Sequence, residues 1–406
     1  MKRKKVVVLK ADQMFSNDLI GIAPLSDHQL VGHKITMHEG FDQSSLRTEV
    51  VEATDHEVSM LKRDKSVVGV LPDMPFRHVQ DMSGAANAKE VAFEPPAISW
   101  GIESVGAHTL PETAGAGVRV AILDTGIDTA HPAFRKLDLS NSYRDFTGTG
   151  LEDGVGHGTH CAGTIFGADV TTTYDQKEHS TRIGIARGID EALVAKVLSA
   201  RGGSTETVAD GVLWAMRRKA HVICMSLGLD FALEVERHRA DGLDDAPAYS
   251  MALANYRENI LVFERLAFLA GSAVSWPLPL IIAAAGNSSQ RPRYVVEVEP
   301  PAASTGILSV AAHSSSYEIW DRSNAAPDLS APGVKICSAV PGGGLALSTG
   351  TSMAAPHATG VAAVIAQRLI EEGKFNADRL RRGLLATSAA LPGDPRDVGE
   401  GRVVLG

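Results

Sequence analysis

The chain has 406 residues, with 39 basic and 48 acidic side chains and a formal charge of −9. An apolar fraction of 44% against 21% charged residues excludes a disordered chain and supplies a large core. The acidic balance excludes nucleic acid as the main partner, because phosphate binding needs a basic field, and three cysteines (Cys161, Cys224, Cys337) exclude a disulfide-stapled scaffold.

The first residues, Met1 to Lys5, are basic, but the apolar run that follows is only Val6 to Leu9. A secretory core needs about 7–15 apolar residues, so no signal peptide is read and the expected compartment is the cytoplasm, the alternative being export by a route without a recognisable signal. Val6–Leu9 and Val67–Leu71 are strand-like, and Asp55–Arg63 is helical, with Val58 and Leu61 on one face. Residues 1–80 therefore form a small α+β unit. Residues 81–97 are rich in small and turn residues, the composition of a linker.

From residue 98 to 406 buried strands alternate with helices. Val118–Leu123, Leu193–Leu198, Val222–Leu227, Leu280–Ala285 and Gly306–Ala311 are short apolar runs. His157–Phe166 and Val208–Lys219 read as helices between them, and Tyr249–Leu269 as a longer one. Continuous apolar strands between helices predict a mainly parallel sheet covered on both faces, with working residues at the carboxyl ends of strands. The uncharged stretch Leu266–Gln290 is long enough to span a bilayer, but its prolines, glycines and serines fit a helix end followed by a buried strand, so no membrane partner is expected.

Four segments carry chemistry. Asp124 ends a buried strand, followed by Thr125-Gly126, and a carboxylate there is costly unless hydrogen-bonded. His157 opens a helix rich in small residues, Gly156-His-Gly-Thr-His-Cys-Ala-Gly163. Ser352 opens another, Gly350-Thr-Ser-Met-Ala-Ala-Pro356, where free N–H groups and the positive dipole end lie beside the hydroxyl. Pro356 is expected to be tolerated as an early helical residue whose N–H has no partner. Asn287 ends the strand Ala283-Ala-Ala-Gly-Asn, with an amide suited to donate to an oxyanion. Each alone has a structural explanation as a cap, turn or packing residue. Together they supply a nucleophile, a base, an acid that orients the base, and an oxyanion donor.

These motifs, with Ser226-Leu-Gly228 and Ala331-Pro-Gly333, resemble the subtilisin-like serine proteases (subtilases, peptidase family S8) over about residues 98–370. The resemblance implies a three-layer α/β fold and a serine endopeptidase. Ser352 would be the nucleophile, His157 the base, Asp124 its orienting partner, and Asn287 with the Ser352 backbone N–H the oxyanion hole. Ser226, Leu227 and Gly228 would pair with a protein or peptide substrate as an added strand. With Ala284, Ala285 and Gly286 they would line the pocket for the residue before the cut. These residues are small and uncharged, so the expectation is an apolar-tolerant pocket and broad specificity. The resemblance further implies that the N-terminal unit is a propeptide acting as an intramolecular inhibitor, that Pro300–Pro301 is a cis bond, and that Cys161 packs behind the histidine, making the enzyme sensitive to mercurials.

Three rivals are weaker. An α/β-hydrolase orders its triad Ser, acid, His, and after Ser352 the only histidine is His357. A zinc site at His157-x-x-His160 lacks the i, i+4 spacing and intervening Glu of that motif. A catalytically silent or permanently self-inhibited binding protein would most simply lack a triad residue, and none is missing. The chemistry requires no cofactor and no catalytic metal. The structural calcium common in the family does not find its usual ligands, since Ala133 follows His131-Pro132 and Ala168–Arg182 lacks the Asn-rich loop. Residues 229–279 form a long insertion with a charged part, Glu234–Asp245, that leaves directly from the groove strand and is expected to shape subsites or recruit a partner.

Overall fold

The computed structural model describes residues 4–11, 46–78, 93–271 and 279–406. Residues 81–92 of the expected linker lie outside the described residues.

The N-terminal unit comprises β1 (Lys4–Ala11), β2 (Leu46–Ala53), α1 (Asp55–Leu61), β3 (Val67–Pro72) and β4 (Pro75–His78). β1 is the centre of an antiparallel sheet ordered β2-β1-β3. A central strand covered on both faces needs continuous apolar residues, which is what Val6 to Leu9 supply. Val6 and Val8 pack towards α1 with Val67 and Val70, whereas Val7 and Leu9 face the rest of the protein with Leu71. Thr54 and Glu57 form a reciprocal cap at the start of α1.

The remainder begins with α2 (Trp100–Ser104), β5 (Arg119–Asp124), β6 (Tyr143–Asp145) and α3 (His157–Phe166). The hairpin β7 (Val170–Tyr174) and β8 (Lys177–Thr181) leads to β9 (Glu191–Lys196), β10 (Gly203–Ser204) and α4 (Thr205–Arg217). Next come β11 (Val222–Met225), β12 (Leu227–Leu229), α5 (Phe231–Ala240), α6 (Asp245–Gly271), β13 (Leu280–Ala284), β14 (Ile307–His313) and β15 (Leu329–Pro332). A second hairpin, β16 (Ile336–Val340) and β17 (Gly344–Ser348), precedes α7 (Thr351–Glu371), α8 (Ala377–Ala386) and α9 (Pro395–Val398).

Seven strands form one parallel sheet ordered β15-β14-β13-β11-β5-β9-β6. Residues on alternate sides of the strands join two clusters. Val120 and Ile122 face α3 and α7, and Ala121 and Leu123 face α4. This is the three-layer α/β architecture expected, and burial on both faces explains why the strands lack polar alternation. Among the described residues no helix is long and apolar enough to cross a membrane.

Two details differ from the sequence reading. The charged segment 234–245 is mostly helical: Asp230 caps α5 by accepting from the Leu233 N–H, and α6 then starts at Asp245. α6 is the seat of the N-terminal unit. Asn259 donates to the Pro72 carbonyl at 3.2 Å, Arg265 to the Val68 carbonyl at 2.6 Å, and Phe263 meets Phe76 edge-on at 5.9 Å. Pro356 is not in the first turn of α7; its missing N–H removes the helical bond that the Ser352 carbonyl would otherwise accept.

Candidate active site

β5 delivers Asp124 to the edge of the core, and α3 begins with His157 directly above it. Gly158 permits this approach, since a Cβ there would stand 2.0 Å from the Gly126 carbonyl oxygen and 3.2 Å from the Asp124 Cβ. His157 Nδ1 and Asp124 Oδ1 are 2.6 Å apart, and both side chains are fully buried. Asp124 Oδ1 also accepts from the Thr125 N–H at 2.7 Å. A bond this short fixes the ring with its Nδ1–H donating to the carboxylate, which leaves Nε2 as the acceptor.

A residue the sequence reading missed holds this pair in place. Asp153 is buried and accepts from Thr125 Oγ1 at 2.8 Å, the Gly156 N–H at 2.8 Å, the Thr159 N–H at 2.9 Å and Thr159 Oγ1 at 2.6 Å. Its charge sits at the start of α3 and satisfies amides the helix leaves open. Nothing in the sequence around Asp153 distinguishes it from a turn aspartate.

Ser352 lies at the start of α7. Its carbonyl, freed by Pro356, accepts instead from Ser226 Oγ at 3.0 Å and from Cys161 Sγ at 3.3 Å. Ser226 and Cys161 thereby tie the serine's helix to the groove strand and to the histidine's helix. The Ser352 hydroxyl donates to the Ser226 carbonyl at 3.2 Å, while His157 Nε2 makes no hydrogen bond among the described residues. In serine hydrolases a bond between such a hydroxyl and such a ring nitrogen commonly tightens only when substrate is present.

Asn287 Oδ1 accepts from the Thr351 N–H at 3.0 Å and from Thr351 Oγ1 at 2.8 Å. That anchors the amide with its Nδ2 on the opposite side, and Thr351 Oγ1 accepts in turn from the Gly286 N–H at 3.1 Å. Thr351 is a positioning residue the sequence motif contains but whose role the motif does not reveal.

The strand that carries the candidate substrate-binding residues is paired within the chain. β12, which holds Leu227 and Gly228, pairs antiparallel with β4 of the N-terminal unit: Leu227 opposite His78, Gly228 opposite Arg77, Leu229 opposite Phe76. β10 pairs with the other edge of β4, so Pro75 and Phe76 lie between two strands. The His78 ring stands 5.4 Å from the His157 ring, and burial, then the neighbouring His157, hold its pKa below the usual range.

Ala284 ends β13, Ala285 and Gly286 follow it beside Asn287, and all three are buried. Gly286 has φ +112°, and a Cβ there would meet Asn324 Nδ2 at 2.2 Å and Glu299 Cδ at 2.9 Å. Glu299 is the charge the sequence reading of an uncharged pocket lacked; at 8% exposure, burial raises its pKa to about 7 against the pull of Arg77. The Pro300–Pro301 bond that follows is cis, as expected.

Among the described residues, Asp124, His157 and Cys161 are the only group of three with metal-ligating geometry, and they are the hydrogen-bonded Asp–His pair and its neighbour. His160 of the rejected zinc reading points elsewhere, with Nε2 at 3.0 Å from the Ile336 carbonyl, and burial lowers its pKa to about 4. Asp169, in the segment that lacks the Asn-rich loop, pairs with Arg187 at 3.0 Å. Asp175 and Glu178 sit on the β7–β8 hairpin.

Fold and site together define a serine hydrolase of the parallel α/β class. The model of the subtilase family matches residues 115–401. The chain is 33% identical to the "Major intracellular serine protease" of Bacillus subtilis over 288 residues, covering 66% of this chain and 77% of that one. It is 30% identical to the "Intracellular serine protease" of Paenibacillus polymyxa over 322 residues, 75% of this chain and 84% of that one. It is 29% identical to "Subtilisin-like protease 5" of Arthroderma benhamiae over 370 residues, 82% and 81% respectively. The chain belongs to the subtilase family, and is a serine protease acting on protein or peptide substrates.

Proposed function

We propose that the protein is an endopeptidase working through Asp124, His157 and Ser352 and an acyl-enzyme. Ser352 Oγ attacks the scissile carbonyl as His157 Nε2 takes its proton; the same proton goes to the leaving amine. Water then attacks the acyl ester with His157 again as base, and the returned proton restores Ser352. Asp124 holds the imidazole in the needed tautomer and stabilises its cation. The Asn287 amide and the Ser352 N–H donate to the oxyanion. The observation that carries this reading is the buried Asp124–His157 bond of 2.6 Å, held beside the start of the helix that bears Ser352. Hydrolysis of casein or a peptide by the wild type, with none by Ser352→Ala, is the expected result; equal hydrolysis by both would refute it.

Residues 1–80 act as an intramolecular inhibitor, 81–97 as the linker in which processing occurs, and 98–406 as the catalytic domain. The support is the pairing of β4 with β12, since an added strand is how a peptide would occupy this groove. The same pairing favours the second reading, a permanently self-inhibited binding protein. Mass spectrometry separates them: a wild type shortened by about 80 residues beside a full-length Ser352→Ala supports processing, and two full-length proteins support permanent inhibition. The enzyme requires no cofactor, and works in the cytoplasm; support for the latter is that two relatives are named intracellular. Cell fractionation tests it.

A further inference from the structure

We propose that the groove contains a cation site, in which the carboxylates of Glu299 and Asp230 take the arginine or lysine side chain of a bound peptide strand at the residue facing Gly228. This names a substrate class and rests on the protease reading above.

Arg77 occupies that position now. It is paired with Gly228 across the β4–β12 ladder, its Nη2 lies 3.4 Å from Glu299 Oε2, and its Nε lies 3.6 Å from Asp230 Oδ2. The two carboxylates come from different elements. Asp230 directly follows β12, and its Oδ1 is fixed by the Leu233 N–H at 3.0 Å, which leaves Oδ2 towards the groove. Glu299 lies beneath the Gly286 wall and is nearly buried; the Ser288 side chain interacts with its carboxyl, yet among the described residues its Oε1 has no partner in hydrogen-bond geometry. A buried carboxylate with an unused oxygen is costly unless a cation compensates it. The Arg77 guanidinium compensates it only loosely. Both contacts are longer than the about 2.7–2.9 Å of a good charge-assisted bond, and the Arg77 side chain remains 36% exposed. The site is thus charged, partly dry and open to exchange of its cation for that of another strand. Side chains two residues apart share a face of a strand. A long basic side chain here therefore points to the same side as the residue facing Ser226, next to Ser352.

The test uses the full chain, with active sites titrated, and peptides that differ only at the residue facing Gly228: Arg, Lys, Gln or norleucine. The wild type is expected to favour Arg and Lys in kcat/KM by at least about tenfold. Glu299→Gln is expected to bring the four peptides within about twofold, and Asp230→Asn to reduce the preference in part. Equal cleavage of all four by the wild type overturns the proposal, as does an unchanged preference in both variants. A basic preference found only at the residue facing Ser226 also overturns it. If no peptide is cut, the protease reading fails by itself, and amide hydrogen exchange of the full chain decides the cation site. Arg77→Gln and Glu299→Gln are then expected to speed exchange at Phe76–His78 by about tenfold, since each loosens β4; unchanged exchange overturns it.

Discussion

Thr351 offers a sharp test of how the oxyanion donor is held. Thr351→Val keeps the shape of the side chain and removes two of three bonds in a small network. The bond from Thr351 Oγ1 to Asn287 Oδ1 (2.8 Å) and that from the Gly286 N–H to Thr351 Oγ1 (3.1 Å) are lost, and that from the Thr351 N–H to Asn287 Oδ1 (3.0 Å) remains. A buried hydrogen bond contributes about 0.5–1.5 kcal/mol, and a group left unpaired costs about 1–3 kcal/mol. The loss of stability is therefore expected to be about 2 kcal/mol, read from urea unfolding. Removing an oxyanion donor outright costs about 10²–10³ in kcat, a magnitude known for this enzyme class rather than worked from these distances. Loosening Asn287 by one of the two bonds that Thr351 makes to it is expected to cost about tenfold in kcat, with KM changed by less than about twofold. Adding Thr351→Val to Asn287→Leu should then cost nothing further in kcat, because the residue it positions is gone. Unchanged kcat in the single variant, or full additivity in the double, would refute this account of Thr351.

Other outcomes follow from the same contacts. Gly158→Ala is expected to abolish activity, because its Cβ would stand 2.0 Å from the Gly126 carbonyl oxygen and push α3 off β5; wild-type kcat would contradict this. Glu299 binds its proton more tightly folded than unfolded, with a pKa of about 7 against 4.5. Its protonated form therefore contributes stability below pH 4.5 that is lost as pH rises to about 7, up to about 3 kcal/mol, and Glu299→Gln should flatten that slope in urea unfolding. Cys161 lies with its Sγ 4.0 Å from His157 Nδ1 and 3.3 Å from the Ser352 carbonyl, so a mercurial bound there displaces the acid–base pair. Mercurial inhibition of the wild type is expected to vanish in Cys161→Ser, which keeps a donor to that carbonyl; equal inhibition would place the target elsewhere. Phe76→Ala leaves a cavity against Phe263, of a kind that costs about 3–5 kcal/mol, and should expose residues before 98 to added trypsin faster than in the wild type.

The strands of the main sheet were legible because they are buried on both faces: β5, β9, β11, β13 and β14 lie within two residues of the apolar runs that predicted them. The placement of Asp124 at a strand end, of His157 and Ser352 at helix starts and of Asn287 just beyond β13 was legible because each lies within a motif. What stayed hidden acts through contacts distant in sequence. Asp153 works through Thr125 and Thr159, Glu299 through Arg77 more than 200 residues away, and β4 is a strand only because β10 and β12 accept it on either side. The segment Glu234–Asp245 read as a charged insertion because α5 exposes most of its surface, so no apolar stripe marked it as a helix. Pro356 was legible as a feature but not as a cause: only the structure joins its missing N–H to the two donors on the Ser352 carbonyl.

The central claim, that Ser352 is the nucleophile, is most directly tested by labelling the purified chain with a fluorophosphonate and mapping the modified residue by peptide mass spectrometry. The account predicts one label, on Ser352, slowed in His157→Ala and absent in Ser352→Ala. A label on any other residue, or none on the folded wild-type protein, would contradict it.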